Sequence, residues 1–357
     1  MMLCREFDMS IDREKENQRK NRSLPASVYI YIVSALLAVI LCIAGLLYFD
    51  SVKFAPSRFN IRREQLSSDK IPSQLDNVRI LYFSDLKYGS YMDDERLQKL
   101  SERIGLVNTD ALVFGGDLFD DTAALPENLE QLTAFFKNID APLGKFAVLG
   151  DTDRLSEKHL AAATEVFRNA GVEILVNKSA FLHNHGSESV TLVGLDNGLN
   201  GLPDQAVAYE SVSPSAYTIT VCHTPDTADS VRGELTDWFL AGHSLGGQAY
   251  NLVSYEYTPA MAVQYFRGKH ELNSFTLDIT SGTGTTGRDI RFLSGAEIVL
   301  YTLHHEEASA APVITPTPDD ASMTPAAETP EAETPEENSS QETQTPEETK
   351  EDSAPQN

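Results

Sequence analysis

The stretch Asp110-Ala-Leu-Val-Phe-Gly-Gly-Asp117-Leu-Phe-Asp-Asp121 constrains the fold of this chain more than any other. Its apolar run, Ala111 to Gly115, has the length and unbroken apolar pattern of a strand buried on both faces. Two glycines then let the backbone turn sharply, and Asp117 is delivered at the strand's carboxyl end. Open α/β sheets place their ligand sites at that end. Alone, the stretch would fit a plain strand followed by an acidic turn. Four further runs repeat the design, each an apolar segment closed by a metal- or phosphate-capable group. They are Ile80-Leu-Tyr-Phe-Ser-Asp85-Leu-Lys87, Lys145-Phe-Ala-Val-Leu-Gly-Asp151-Thr-Asp153, Tyr217-Thr-Ile-Thr-Val-Cys-His223 and Trp238-Phe-Leu-Ala-Gly-His243-Ser-Leu245-Gly-Gly-Gln248.

By composition the 357 residues fall into five segments. Residues 1–27 are a polar tail, with six Lys/Arg against five Asp/Glu. Residues 28–49 form an uncharged apolar run that spans roughly 30 Å of hydrocarbon as a helix, with Tyr29, Tyr31 and Tyr48 near the interfaces. A cleaved signal peptide would have a shorter apolar core and a small-residue cleavage site, so the run reads as a transmembrane signal anchor. Five Lys/Arg lie shortly before it and four after it (Lys53, Arg58, Arg62, Arg63). Counted by the positive-inside rule, these charges narrowly favour a cytoplasmic amino terminus. A single-pass protein of the cell membrane with its globular domain outside the cytoplasm is therefore expected.

Residues 50–76 read as a juxtamembrane linker and 77–305 as the globular domain. Residues 306–357 hold fourteen Asp/Glu against one Lys and are dense in Pro, Thr, Ser and Ala, so a disordered acidic tail is expected. A net charge of −25 has the wrong sign for a nucleic-acid backbone. Of the three cysteines, Cys4, Cys42 and Cys222, only the last falls in the domain, which excludes an intradomain disulfide.

Inside the domain, Asp93 or Asp94 is placed to cap a helix running through Leu97, Leu100 and Ile104 to Val107. Pro126 marks a helix start at 127–138. Ser156 caps a third helix that continues to Ala170 and stops at Gly171. Strand-like runs follow at 190–195, 217–223, 237–242, 274–280 and 297–303. Early βα units before a strand-rich second half predict two packed sheets with helices outside.

In order and spacing, the five strand-end blocks resemble the D-x-H, G-D-x-x-D, G-N-H-[DE], H and G-H-x-H blocks of the calcineurin-like metallophosphoesterases. The resemblance covers about residues 77–303. The Gly-Gly-Gln248 ending and the closing run Ile279-Thr-Ser-Gly-Thr-Gly-Thr-Thr-Gly-Arg-Asp-Ile-Arg-Phe292 look like the membrane-associated bacterial branch. It implies a four-layer α-β-β-α sandwich, with two metal ions about 3.5–4 Å apart that clamp a phosphate and activate water.

In that family the G-D aspartate bridges both metals, and its position here is Asp117. One metal also uses the D-x-H pair and the last histidine of G-H-x-H, where this chain has Asp85, Lys87 and Leu245. An ammonium has no lone pair to give and leucine has no donor atom, so this first site is degenerate. The other metal uses positions that correspond to Asp117, Asp151, His223 and His243. Two carboxylates and two imidazoles suit Zn²⁺, Mn²⁺ or Fe²⁺. The expected cofactor is at most one such ion, or none if the histidines are only hydrogen-bonded strand ends.

The family's catalytic histidine falls at Thr152, with Asp153 left without its partner. A threonine hydroxyl is no acid near neutral pH, and loss of a general acid alone removes about 10²- to 10⁴-fold in rate. Lys87 is positioned to put its ammonium where the first metal would stand, between Asp85 and Asp117; a solvent-pointing lysine is the alternative. Gly282, Gly284 and Gly287 lack a following G-K-[ST] and read as a turn, and His183 with His185 as surface residues. Two functions remain. One is a membrane-anchored module with lost or strongly reduced phosphoester hydrolysis, which binds a phosphorylated ligand or an envelope protein through the old cleft. The other is an active one-metal phosphoesterase acting on a phosphorylated envelope or lipid-linked substrate.

Overall fold

The computed structural model describes residues 25–122, 124–250 and 257–307. The readings of residues 1–24 and 308–357 as polar and acidic tails lie outside the described residues. Helix α1, Ala26–Lys53, contains the whole apolar run and overshoots it at both ends. At about 1.5 Å per residue it is roughly 42 Å long. Its apolar window is unburied by the rest of the chain, and it is long and apolar enough to cross a membrane.

Strand β1, Asn60–Ser68, lies inside the stretch expected to be a linker. All nine of its residues pair in parallel with Glu297–His305, so the sheet begins well before residue 77. The linker reading failed because an edge strand needs little apolar surface. Of β1, only Leu66 is fully buried. Its charges are held by side-chain partners instead. Arg62 donates two hydrogen bonds to Asp278, both 2.9 Å, and Lys269 pairs with Glu64 at 2.7 Å.

The elements then run β2 Arg79–Phe83, α2 Asp94–Ile104, β3 Ala111–Phe114, α3 Glu130–Asn138, β4 Lys145–Ala147, α4 Glu157–Ala170 and β5 Glu173–Ile174. The strand-rich half follows: β6 Lys178–Leu182, β7 Val190–Gly194, the short α5 Gln205–Ala208, β8 Thr218–Val221, β9 Trp238–Ala241, β10 Gly268–Glu271, β11 Thr276–Ile279 and β12 Glu297–His305. One sheet has the order β1-β12-β2-β3-β4-β5, and the other β10-β11-β9-β8-β7-β6. In the first, β2 to β5 are parallel; in the second, β7, β8, β9 and β11 are parallel.

The period of two in β2 and β3 explains the layering. Ile80, Tyr82, Ala111 and Val113 point toward the second sheet and pack with Leu192, Val221 and Leu240. Leu81, Phe83, Leu112 and Phe114 point the other way, onto Leu97, Leu100, Phe135, Phe136 and Phe167 of α2, α3 and α4. The outer face of the second sheet, with Val193, Phe239 and Leu277, is covered by Tyr209, Val212, Ala228 and Leu235. The expected α-β-β-α sandwich is therefore present, with short helical turns in place of long helices in its fourth layer.

Capping explains the helix ends. The Asp93 side chain accepts the Arg96 amide, and the Ser156 hydroxyl accepts that of His159. Helix α4 ends at Gly171 in the left-handed region, φ 72°. Helix α3 starts three residues later than expected, because the Asn128 carboxamide accepts the Glu130 amide and closes a turn first.

Candidate metal centre

All five strand-end blocks converge at the carboxyl ends of β2, β3, β4, β8 and β9. Backbone strain concentrates there. Asp85, Lys87, Asp117, His243, Leu245 and Gln248 all have positive φ, between 51° and 69°. Residues other than glycine adopt this region at a cost and mostly where surrounding structure over-determines them. Here the loops are stitched to one another. The Asp85 amide donates to the Gly116 carbonyl at 2.8 Å, and that of Lys87 to the Asp117 carbonyl at 3.1 Å. The Gly116 turn (φ 94°) approaches Gly150 and the His223 ring so closely that a Cβ there would lie within 2.6 Å of the Gly150 nitrogen.

Asp117 is fully buried. Its Oδ1 accepts the Thr152 amide at 2.9 Å, which turns Oδ2 inward. His223 donates from Nδ1 to the Gly115 carbonyl at 2.7 Å. That bond fixes the tautomer and leaves Nε2 facing Asp117 Oδ2 at 3.2 Å, Asp151 Oδ1 at 3.4 Å and Asp85 Oδ1 at 3.8 Å. His243 does the mirror of this. Its Nε2 donates to the Ala260 carbonyl at 2.7 Å, and its Nδ1 faces Asp151 Oδ1 at 3.0 Å.

Asp117, Asp151, His223 and His243 thus offer four atoms, all within 4.8 Å of one another. Apart from the ion pair between Asp117 Oδ2 and Lys87, none of the four has a partner outside the cluster, although each is buried. Burying such groups unpaired is costly, and a cation among them removes the cost. Ligand bonds of about 2.0–2.1 Å imply tetrahedral edges of about 3.3–3.4 Å, close to the 3.0–3.4 Å between His223 and Asp117 and between Asp151 and each histidine. Both imidazoles also spend their outer nitrogen on a backbone carbonyl, the support that metal-bound histidines usually have. The residues present fit one divalent ion.

Lys87 shares the central carboxylate. Its Nζ lies 2.5 Å from Asp117 Oδ2, with the side chain only 1% exposed. Burial would lower its pKa, but the charge on Asp117, with further contributions from Tyr257, Asp151 and Asp85, holds it well above the usual lysine value. Attraction therefore outweighs desolvation, and the ammonium stays charged. Burial likewise opposes charge on His223, yet Asp117 and Asp85 raise its pKa well above that of free imidazole. Burial pushes Asp117 upward, and the charges on His223 and Lys87 bring it well below the usual carboxylate range. For Asp151, burial and the Asp117 charge push upward, and the two histidines that face it bring its pKa below the usual carboxylate value.

The other positions named from sequence take distinct places. Asp85 is fully buried beside the cluster; its Oδ2 accepts the His243 amide at 3.0 Å and the Ser84 hydroxyl. Leu245 is buried and its side chain has no donor atom; its carbonyl accepts from Ser294 Oγ at 2.7 Å, from Arg291 and from the Gln248 amide. Thr152 has a buried hydroxyl without a hydrogen-bond partner. Asp153, far from being an idle remnant, accepts the amides of Asp117, Leu118 and Gly150 at 2.8–3.0 Å and ties two loops together. Burial and the Asp117 charge push it up to about 7 against those amides.

Arg291 and Tyr257 escaped the sequence reading. The fully buried Arg291 guanidinium donates to the carbonyls of Leu245, Ser281, Gly282, Gly284 and Ser294. It thereby staples the Gly282–Gly284 turn onto the Asp85–Lys87 loop, where the Thr283 amide meets the Ser84 carbonyl at 3.1 Å. Its only signal was membership of the closing run. Tyr257 lies within electrostatic reach of Lys87, Asp117, Asp151 and Asp85, and burial raises its pKa above the usual phenol range. Nothing in its local sequence marked it.

Two facing sheets with a carboxylate–imidazole cluster at their strand ends define a phosphoesterase-like metalloprotein class. No family model matches the chain. It is 26% identical over 254 residues to the uncharacterized metallophosphoesterase YkuE of Bacillus subtilis, covering 70% of this chain and 86% of that protein. Similarity to the UDP-2,3-diacylglucosamine pyrophosphatase LpxG of Chlamydia trachomatis is 25% over 334 residues, covering 77% of this chain and 98% of that protein. A transmembrane protein with metallophosphoesterase domain from Danio rerio is 23% identical over 251 residues, with 67% and 56% covered. The chain is thus similar, over two thirds or more of its length, to metallophosphoesterases that include a transmembrane one. Their names mark them as metal-dependent phosphoesterases, and the carboxylate–imidazole cluster of this chain could hold such an ion.

Proposed function

We propose that the protein is a membrane-anchored phosphoryl-ligand binding module with one divalent metal per chain and strongly reduced hydrolysis. The observation that carries this reading is the Lys87 ammonium at 2.5 Å from Asp117 Oδ2, the oxygen that also faces His223 at 3.2 Å. Asp117, Asp151, His223 and His243 would hold the ion, which supplies a Lewis acid for a phosphoryl oxygen. Lys87 supplies a second positive charge but has no vacant coordination position, so it cannot help to generate a hydroxide. Thr152 gives a hydroxyl for hydrogen bonding and no proton for a leaving group near neutral pH. Asp153 holds the Asp117 loop and serves no acid. Asp151, with the most exposed side chain of the four candidate ligands, marks the way in.

The ligand is a phosphorylated envelope molecule or an envelope protein presented outside the cytoplasm, the side favoured by the charges flanking α1. The intact four-ligand set favours a second reading, slow one-metal hydrolysis of a phosphorylated envelope or lipid-linked substrate. A relative described as a pyrophosphatase of a diacylated nucleotide sugar lends it support. Both are tested by assaying the full-length protein, loaded with Zn²⁺ or Mn²⁺, for phosphomonoester, phosphodiester and pyrophosphate turnover alongside phosphate binding. Metal-dependent phosphate binding with turnover at background supports the module. Turnover that His223→Ala abolishes would replace it with the enzyme.

A further inference from the structure

A cavity of about 200 Å³ lies where the membrane helix meets the globular part. It is lined by Ala44, Leu47, Tyr48 and Ser51 of α1 and by Ile290 and Phe292 of the closing run. Depth along the helix follows from its rise. Ala44 lies five residues before Phe49, the last of the apolar run, which puts it about 7–8 Å inside that end. A loop that shares a cavity with Ala44 and Leu47 therefore reaches below the polar boundary set by Asp50 and Lys53.

The loop is built for that depth. The Arg291 amide donates to the Ser51 carbonyl at 2.9 Å, clamping the segment to the helix. The one charged side chain of 290–293 turns away from lipid, because the Arg291 guanidinium is buried among carbonyls of the domain. Leu293 instead stays 62% exposed, in the left-handed region at φ 53°. An exposed leucine held in a strained turn is hard to explain in water and natural at an interface.

The cavity also selects its occupant. Its walls are mostly apolar, and the Ser51 hydroxyl donates to the Leu47 carbonyl at 2.7 Å. A site with so few polar partners does not hold water. We propose that Ile290–Leu293 sits in the interfacial layer of the bilayer and that an acyl chain of a membrane lipid fills the cavity between this segment and α1. The clamp would hold the domain at a fixed height. It would also bring the membrane surface close to the metal centre, because Arg291 touches Leu245 and Gly284 directly.

Acyl-chain quenching tests this in the full-length chain reconstituted into phosphatidylcholine vesicles with brominated acyl chains. Three variants, Phe292→Trp, Leu293→Trp and Leu202→Trp, are compared over the common emission of Trp238. Leu202 is an exposed residue remote in sequence from the clamp, and Leu293 is exposed enough to accept tryptophan without refolding. Expected is loss of most of the added emission at 292 and 293 and none at 202. Absence of quenching at both 292 and 293 overturns the proposal. Quenching at 293 alone overturns lipid occupancy of the cavity, and equal quenching at all three overturns the placement of the loop.

Discussion

Replacing Lys87 with methionine keeps most of the unbranched side chain and removes its charge, leaving Asp117 without its ammonium partner. At 2.5 Å and an effective dielectric near 20, the gross attraction is about 7 kcal/mol. Much of this offsets the desolvation of an ammonium only 1% exposed. Breaking one side of a buried pair has a net cost of about 3–5 kcal/mol, and that is the expected destabilisation of Lys87→Met. Asp117→Asn removes the other charge, so the double variant should recover part of the loss. A coupling of about 2–3 kcal/mol is expected between groups in direct contact. Urea unfolding of the wild type, both single variants and the double variant, with chelator present throughout, measures it through Trp238 fluorescence. A coupling below about 0.5 kcal/mol would refute the reasoning, since groups that do not interact add within that margin.

Three further outcomes follow from the same geometry. Gly150→Ala should abolish high-affinity metal binding, measured calorimetrically with Mn²⁺, because its Cβ would fall 2.7 Å from Asp117 Cγ and displace the central ligand. Retained binding would mean that Asp117 is not a ligand. Lys87→His combined with Leu245→His should raise bound metal from one ion to two without restoring turnover, as Thr152 still lacks an acid; turnover in this variant would relocate the acid. Protease added outside intact cells should cleave the acidic carboxyl-terminal segment and spare the amino-terminal one, and the reverse pattern would invert the membrane orientation.

Strand and site positions were legible where one local pattern decided them. Ile80–Phe83 and Ala111–Phe114 are apolar at every position because they are buried on both faces, and each is followed at once by its ligand loop. Ser156 and Gly171 announced α4 through backbone needs that only a few residue types meet. Strand β1 was invisible, because its stability comes from pairing with a segment more than two hundred residues away and from ion pairs such as Arg62–Asp278. The start of α3 turned on one Asn128 hydrogen bond that outcompeted the proline signal. Arg291 was hidden for a different reason. A guanidinium caged by backbone carbonyls has no side-chain partner whose spacing could be read, and the carbonyls come from three separate turns. Asp153 was legible as a site residue, but its bonds to three backbone amides make it a brace for the Asp117 loop.

The claim that a lysine has replaced one metal while four ligands keep the other is tested most directly by counting. The full-length protein is purified in detergent, exposed to excess Zn²⁺ or Mn²⁺, freed of loose metal on a desalting column, and analysed for metal per chain. The account predicts one ion per chain, falling to none in His223→Ala. Two tightly held ions in the wild type would contradict it, because Lys87 and Leu245 would then not have closed the first site.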